Sequence, residues 1–311
     1  MFKVQKNISL KPYTSFKIGG KARFFIQAKT KQNLVTGCEL ALKESLPILI
    51  LGGGSNLLIN DKKTINAAVI LITNQDFEIS KNKIKVGAGF GLDSLVKKSV
   101  ENNLRGLEYL SGIPGTVGGA IYGNAGAYGK SISDYLVEAE VFNGRDFKKF
   151  SKLNCQFSYR DSFFKRTKFA IWQGLFELEP GNRKVLENIR QAILAYRQIR
   201  YPNKFKSAGS FFKNVSQGKF AKKALKNLPK CAFSGQEVAA GFLIEQVGLL
   251  GKIFGGAKIA DHQGNYLINF KDAKAEDVIK LAKLARKKVF QKFGVELEPE
   301  VQLIGFSNKV F

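Results

Sequence analysis

Histidine is almost missing from this chain: His262 is the single one among 311 residues. A mechanism that needs an imidazole base has one candidate, and a histidine-ligated metal centre has too few ligands. Cysteine is scarce as well. Cys38, Cys155 and Cys231 are odd in number and far apart, with no C-x-x-C pair. That argues against a disulfide framework and a zinc site and fits a reducing cytosol. Long apolar runs are lacking too. "LPILIL" is strand length, far short of a membrane span, and the opening "MFKVQKNISLKPYTSF" has no apolar leader core. Acidic residues are few, 25 against 50 basic ones, for a formal charge of +25. Such a surplus suits nucleic acid, an anionic membrane surface or anionic small molecules, or simply a lysine-rich solvated surface. It is spread along the chain and not gathered in one arm, which argues against a nucleic-acid tail.

What the chain has in quantity is glycine, 31 residues, several in clusters. The length allows about two domains. Periodicity predicts helices over 31–45, 91–103, 183–200, 235–247 and 273–293, with Val185, Leu186, Ile189, Ala192, Ile193 and Tyr196 on one face of the third. Strands are expected at 22–28, 46–51, 67–73, 83–89, 136–143, 147–153 and 169–179, then between 253 and 270, and in a closing segment at 294–305. The mixture is α+β. "YPNKFKSAGS" (201–210) reads as a linker, with a domain boundary near 195–205.

Three glycine-bearing stretches invite a ligand-binding reading, and two sustain it. In "ILILGGGSNLLI" (48–59) a buried strand runs into three glycines, more than a turn needs, and their N–H groups can approach an anion closely. No helix follows, which excludes a P-loop. "KVGAGFGLDSLVKKSV" (85–100) approximates a dinucleotide fingerprint, with Glu108 downstream, but its third glycine comes too early and its strand is lysine-rich. A plain strand-to-helix turn is the better reading. "YLSGIPGTVGGAIYGNAGAYGK" (109–130) is the strongest signal. Eight glycines in 106–130 make a segment that is costly to order without a ligand.

Single residues are more open. Arg160, in "FSYRDSFFK", suits oxyanion or enolate stabilisation, but a salt bridge to Asp161 or another acid is the larger expectation. In 294–305, Val295, Leu297, Pro299, Val301 and Leu303 alternate with Glu296, Glu298, Glu300 and Gln302, by default the solvent face of an edge strand. His262 reads as surface or structural. Ser210, in "KSAGSFFKNV", stands sterically open beside Gly209 with Lys213 and Asn214 close behind. It looks reactive, yet it has no G-x-S-x-G elbow and no histidine to serve it.

Taken in order, "TSFKIGG", "LGGGSNLL", "GLEYLSGIPGTVGGAIYGNAGAYG", "YRDSFF", "SAGSFFKN", "AGFLIEQVGLLGKIFGGA" and "LEPEVQLIG" resemble the UDP-N-acetylenolpyruvoylglucosamine reductase (UDP-N-acetylmuramate dehydrogenase) family over nearly the whole chain. The short interval between Arg160 and Ser210 resembles its shorter, type II, branch. The resemblance implies an FAD-binding half of the vanillyl-alcohol-oxidase (PCMH) type in two α+β subdomains, 1–75 and 76–198, and an α+β substrate domain, 199–311. It implies non-covalent FAD, NADPH as co-substrate and the UDP-enolpyruvyl sugar of peptidoglycan synthesis as substrate. It further implies a cytoplasmic monomer with no metal, no nucleic acid and no membrane insertion.

By the same resemblance Arg160 stabilises an enolate, Ser210 donates the proton and Glu300 assists at the substrate carboxyl end. Gly52, Gly54, Ser55, Asn56, Pro114, Gly119, Gly126 and Tyr128 meet FAD. Tyr159, Lys213, Asn214 and Gln263 line the substrate. Val215, Gln263 and Gln302 depart from the family's usual proline, histidine and basic residue. A serine that protonates a carbanion needs no partner base, which reconciles Ser210 with the scarcity of histidine.

Overall fold

The computed structural model describes residues 3–202, 205–307 and 310–311; Asn203 and Lys204 of the expected linker lie outside them. The chain runs β1 (Val4–Ser9), β2 (Lys21–Ala28), α1 (Lys31–Lys43), β3 (Ile48–Leu51), β4 (Leu57–Ile59), β5 (Ile65–Ile72), β6 (Phe77–Ser80), β7 (Lys83–Gly87), α2 (Leu92–Glu101) and α3 (Val117–Gly123). It continues through β8 (Leu136–Phe142), β9 (Phe147–Ser151), β10 (Ala170–Glu177), α4 (Arg183–Arg200), β11 (Lys206–Ser210), α5 (Ala240–Gln246), β12 (Ile253–Phe254), β13 (Ala257–Ile259), β14 (Tyr266–Asn269), α6 (Ala275–Phe293) and β15 (Gln302–Ile304).

Two compact units result. The first holds residues 1–8, 22–53 and 66–197; the second holds 9–21, 54–65 and 198–311. Two short early stretches thus join the late half of the chain, which a linear division does not anticipate.

The first unit contains a sheet in the order β1-β2-β5-β3, with β3 and β5 parallel, and an antiparallel sheet in the order β9-β8-β10-β7-β6. Helix α1 starts in a capping box, where the Thr30 side chain accepts from Asn33 N–H and the Asn33 side chain accepts from Thr30 N–H. It buries Leu34, Gly37, Cys38 and Ala41, one face at helical spacing. The near-fingerprint at 85–100 is a strand-to-helix turn: β7 lies between antiparallel neighbours, so no parallel nucleotide-binding unit forms there. Glu108, the downstream acid of that pattern, is buried and accepts the Gly106 N–H.

Three expectations change. The aperiodic segment 106–130 contains α3, because Val117, Ala120 and Ile121 present a short apolar face that periodicity over a longer window misses. The closing segment forms a strand only over Gln302–Ile304, paired in parallel with β4. Its alternation still governs burial, with Val295, Leu297 and Val301 inside. In α4 only Leu186 and Arg190 are buried, and Val185 and Tyr196 are half exposed.

What fixes α4 is polar. Arg190 makes a two-pronged bond to Asp93 at 3.0 and 2.9 Å, and Asp93 also accepts the Gly112 N–H at 2.7 Å. Arg197 Nε then donates to Gly112 O at 3.0 Å. Two arginines of α4 and one aspartate at the start of α2 therefore clamp the entrance to the glycine-rich segment. Removing one partner strands a buried guanidinium. Asp93→Ala is expected to lower stability by about 3 kcal/mol, read from the midpoint of urea denaturation at unchanged m.

The second unit has an antiparallel sheet in the order β11-β14-β13-β12. Helix α6 buries Val278, Ile279, Leu281, Ala282, Ala285 and Val289 and stops at Gly294 in the left-handed conformation. Phe16, Ile18 and Leu58, from the two early stretches, are part of the core that α6 and the serine-bearing segment share.

Candidate active site

In the first unit the two glycine-rich segments meet backbone to backbone. A Cβ on Gly52 would lie 2.7 Å from Thr116 Oγ1, and one on Gly53 would lie 2.8 Å from Gly115 Cα. Close packing thus requires these glycines in its own right. Their N–H groups, with that of Gly54, make no backbone hydrogen bond among the described residues. Thr116 starts α3, its hydroxyl accepting the Gly119 N–H. A Cβ on Gly123 would touch nothing within 4 Å, so that face is open.

Helix α3 ends at Asn124 in the left-handed conformation, φ 45°. Its Nδ2 donates to Ser158 O at 2.8 Å. Its Oδ1 is buried with no hydrogen-bond partner among the described residues. Arg160 also sits at positive φ, 53°. Its guanidinium donates to Gly126 O at 2.8 Å and Asn124 O at 3.4 Å, and lies 5.3 Å from the Tyr159 ring. Of the acids expected for Arg160, Asp161 pairs with Arg166. The carbonyls of the glycine-rich segment bind Arg160, so the arginine and that segment are one construction. Tyr128, left-handed at φ 54° and half exposed, packs edge-on against Tyr196. Such backbone conformations in side-chain-bearing residues concentrate at functional sites.

In the second unit Gly54 has φ 61°, and a Cβ there would lie 2.0 Å from Tyr13 O. Only glycine fits. Ser15, of "TSFKIGG", donates its N–H to Gly54 O and its hydroxyl to Ser207 O at 2.6 Å. The early stretch is thereby tied to the serine strand. Asn56 Nδ2 donates to Glu300 O at 3.2 Å, and Gln302 N–H returns to Asn56 O at 3.0 Å. Asn56 therefore positions the Glu300 backbone.

Ser210 is half buried at the end of β11, opposite Tyr266 in the register. The ladder slips between Ser207 and Ser210, and Asn265 takes over from there. Phe211 N–H donates to Asn265 O at 2.9 Å, Phe212 N–H to Asn265 Oδ1 at 2.8 Å, and Asn265 Nδ2 to Phe212 O at 2.7 Å. Glu300 N–H donates to Phe211 O at 2.8 Å, which puts the Glu300 backbone one residue from Ser210. Lys213 N–H bonds Glu298 O, and its Nζ lies 3.8 Å from the Glu298 carboxylate. Lys219, hydrogen-bonded to Glu298, holds that carboxyl below its ordinary range. Asn214 Oδ1 accepts the Ala240 N–H where α5 begins. Gln263 is buried; its Oε1 accepts the Asn265 N–H and its Nε2 reaches Tyr201 Oη at 3.4 Å. His262 is exposed, stacks on Phe205 and contacts Arg200 O, in line with a structural role.

The structure therefore brings Ser210, Glu300, Lys213 and Asn56 into one connected set, and Arg160, Gly126, Asn124 and Tyr159 into another. Sequence reasoning missed Asn265 and Tyr201. Asn265 lies three residues from His262, and only its flanking glycine hinted at a close backbone approach.

Comparison with known proteins agrees with this division. Residues 22–146 match the family model described as an FAD binding domain, and residues 201–304 match the model of the UDP-N-acetylenolpyruvoylglucosamine reductase C-terminal domain. The chain is 37% identical over 310 residues to the UDP-N-acetylenolpyruvoylglucosamine reductase of Caldicellulosiruptor bescii, covering 98% of this chain and 92% of that one. It is 32% identical to that of Solibacter usitatus over 97% of each. Among solved structures, the UDP-N-acetylenolpyruvylglucosamine reductase (MurB) of Thermus caldophilus superposes with a TM-score of 0.79 at 29% identity, covering 97% of this chain and 99% of that chain. The fold is α+β, with an FAD-binding domain and the C-terminal domain of the reductase family. Among the described residues no helix is long and apolar enough to cross a membrane.

Losing the Asn265 amide leaves the Phe212 N–H and C=O buried and unmatched. Asn265→Ala is expected to destabilise the protein by about 2–4 kcal/mol, and thermal unfolding followed by circular dichroism measures it.

Proposed function

The chain belongs to the UDP-N-acetylenolpyruvoylglucosamine reductase family, and from that premise we propose that it reduces UDP-N-acetylglucosamine enolpyruvate to UDP-N-acetylmuramate with NADPH, in the cytoplasm, for peptidoglycan precursor synthesis. The observation that carries the mechanism is the setting of Ser210. Its hydroxyl is half buried, its backbone is clamped on both sides, and among the described residues no carboxylate or imidazole hydrogen-bonds it. A nucleophilic serine needs a base at that position; a proton donor does not.

The residues present fit FAD. The N–H groups at 52–54, which make no backbone hydrogen bond among the described residues, suit its pyrophosphate, and the open face of Gly123 and the Asn124 Oδ1, without a partner among the described residues, leave room and a polar atom for a ligand. In this reading Gly52, Gly54, Ser55, Asn56, Pro114, Gly119, Gly126 and Tyr128 hold it. When bound, FAD supplies the hydride chemistry, taken from NADPH and passed to C3 of the enolpyruvyl group.

The chain's own residues manage the charge and the proton. Arg160, preset by the carbonyls of Gly126 and Asn124, faces negative charge that develops on the enolate. Ser210 gives its proton to C2. Glu300, its backbone bonded to Phe211 and Asn56, assists at the carboxyl end. Tyr159 and Lys213 contact the substrate directly. Asn214 and Gln263 shape its site from behind, since their amides are already engaged within the chain.

The Ser210→Ala enzyme is expected to show normal flavin reduction by NADPH in stopped flow. Its second half-reaction, with the UDP-enolpyruvyl sugar, is expected to slow by roughly 10²- to 10⁴-fold. Equal slowing of both halves would argue against the proton-donor role.

A further inference from the structure

The second unit places a phenol behind the serine. Tyr201 Oη lies 3.4 Å from Ser210 Oγ. The same oxygen is 3.4 Å from Gln263 Nε2 and is hydrogen-bonded by the Arg200 side chain. The two measured distances are long, as catalytic contacts are before substrate tightens them. The ring is fixed edge-on against Tyr266 at 5.3 Å, and Tyr266 is the residue opposite Ser210 in the register. The titratable and charged groups that face the phenol are Arg200 from the end of α4 and Tyr266 from β14, with His262, from the turn before β14, packed on the far partner Tyr266.

Proton donation by serine alone is difficult. An aliphatic hydroxyl is about as weak an acid as bulk water, and giving up its proton leaves an alkoxide. A phenol ionises near 10, so the charge is better carried one oxygen further back. Burial pushes Tyr201 up, but the hydrogen bonds from Ser210, Arg200 and Gln263 and the charge of Arg200 outweigh it and hold the phenol below its ordinary value.

We propose that Tyr201 is the proton relay behind Ser210, a positioning residue that acts through the serine hydroxyl. As C2 of the substrate takes the proton of Ser210, a C–H bond forms and the serine O–H breaks. Ser210 Oγ in turn takes the proton of Tyr201. The tyrosinate left beside Arg200 regains a proton from water before the next turnover. One proton enters C2 and one leaves solvent, and no electrons move. The inference rests on the proton-donor reading of Ser210 above.

The test uses full-length, FAD-loaded enzyme and the Tyr201→Phe variant, which keeps the ring packing and removes only the hydroxyl. Flavin reduction by NADPH is expected to be unchanged, and the second half-reaction to slow by roughly 10- to 100-fold. The wild-type second half-reaction is expected to fall off as pH rises through the ionisation of Tyr201, because only the protonated phenol can give a proton. That limb begins below the ordinary tyrosine range and is absent from the variant. Tyrosinate absorbance, wild type minus variant, is expected to titrate at the same pH. A wild-type rate or an unchanged alkaline limb in the variant overturns the relay, as does equal slowing of both half-reactions. If Ser210→Ala itself retains the wild-type second half-reaction, the proton-donor reading fails. If Ser210→Ala is slow while Tyr201→Phe is normal, only the relay fails.

Discussion

A single side-chain amide sets the geometry on which the chemistry of the second unit depends. Where the β11–β14 ladder slips after Ser207, Asn265 supplies both a donor and an acceptor to Phe212 and its own carbonyl to Phe211. Asparagine can do this because its amide presents both functions at once, imitating the edge of a strand. With the two phenylalanines buried and their backbone satisfied, the chain has no freedom to swing Ser210. Glu300 then docks by a main-chain bond to Phe211, and Lys213, next along the chain, bonds the Glu298 carbonyl. One amide thereby orients a hydroxyl, a carboxylate-bearing backbone and an ammonium-bearing backbone together.

The first unit solves the corresponding problem with missing atoms. Two glycine-rich segments approach more closely than any Cβ allows, and carbonyls of the second, at Asn124 and Gly126, become the seat of Arg160. The clamp of Asp93, Arg190 and Arg197 fixes the entrance to one of those segments. A glycine-rich stretch is ordinarily costly to hold in one conformation. Here the restraint comes from outside it, so α4 is anchored by one ion pair and a hydrogen bond to backbone while Val185 and Tyr196 of its apolar face stay half exposed.

Much of this was legible in the chain. Helix α1 follows from its spacing of Leu34, Cys38 and Ala41, and the near-fingerprint at 85–100 was set aside correctly on its misplaced glycine and its lysines. Ser210 and Arg160 stood out locally, as an open serine and as a guanidinium among aromatics, but their roles, and that of Glu300, came only from the ordered motifs. What was not legible depends on distant partners. Asp161 stood out as one candidate acid for Arg160 because adjacent charges are what a sequence displays; the carbonyls that bind Arg160 lie more than thirty residues earlier. Helix α3 was hidden because seven residues, three of them glycine, carry too little periodicity. Asn265 and Tyr201 act by reaching across strands to other residues' polar atoms, and composition says nothing about reach. The default solvent-face reading of 294–305 held for Glu296 and Glu298, which are exposed. It missed the role of the backbone beneath them.

The pairing of β15 with β4 has a consequence for how the protein is made. Residues 302–304 are hydrogen-bonded partners of residues 57–59, yet a ribosome releases them long after. The early stretches 9–21 and 54–65 belong to a unit whose other members are all encoded beyond residue 197. They must wait, with Phe16, Ile18 and Leu58 uncovered, until the residues beyond 197 have been translated. Non-local pairing of this kind slows folding and leaves apolar segments exposed to aggregation in the interval. It also means that the second unit cannot be transplanted as one contiguous cassette. A chimera that exchanges only residues after 197 carries away a core from which two pieces are missing.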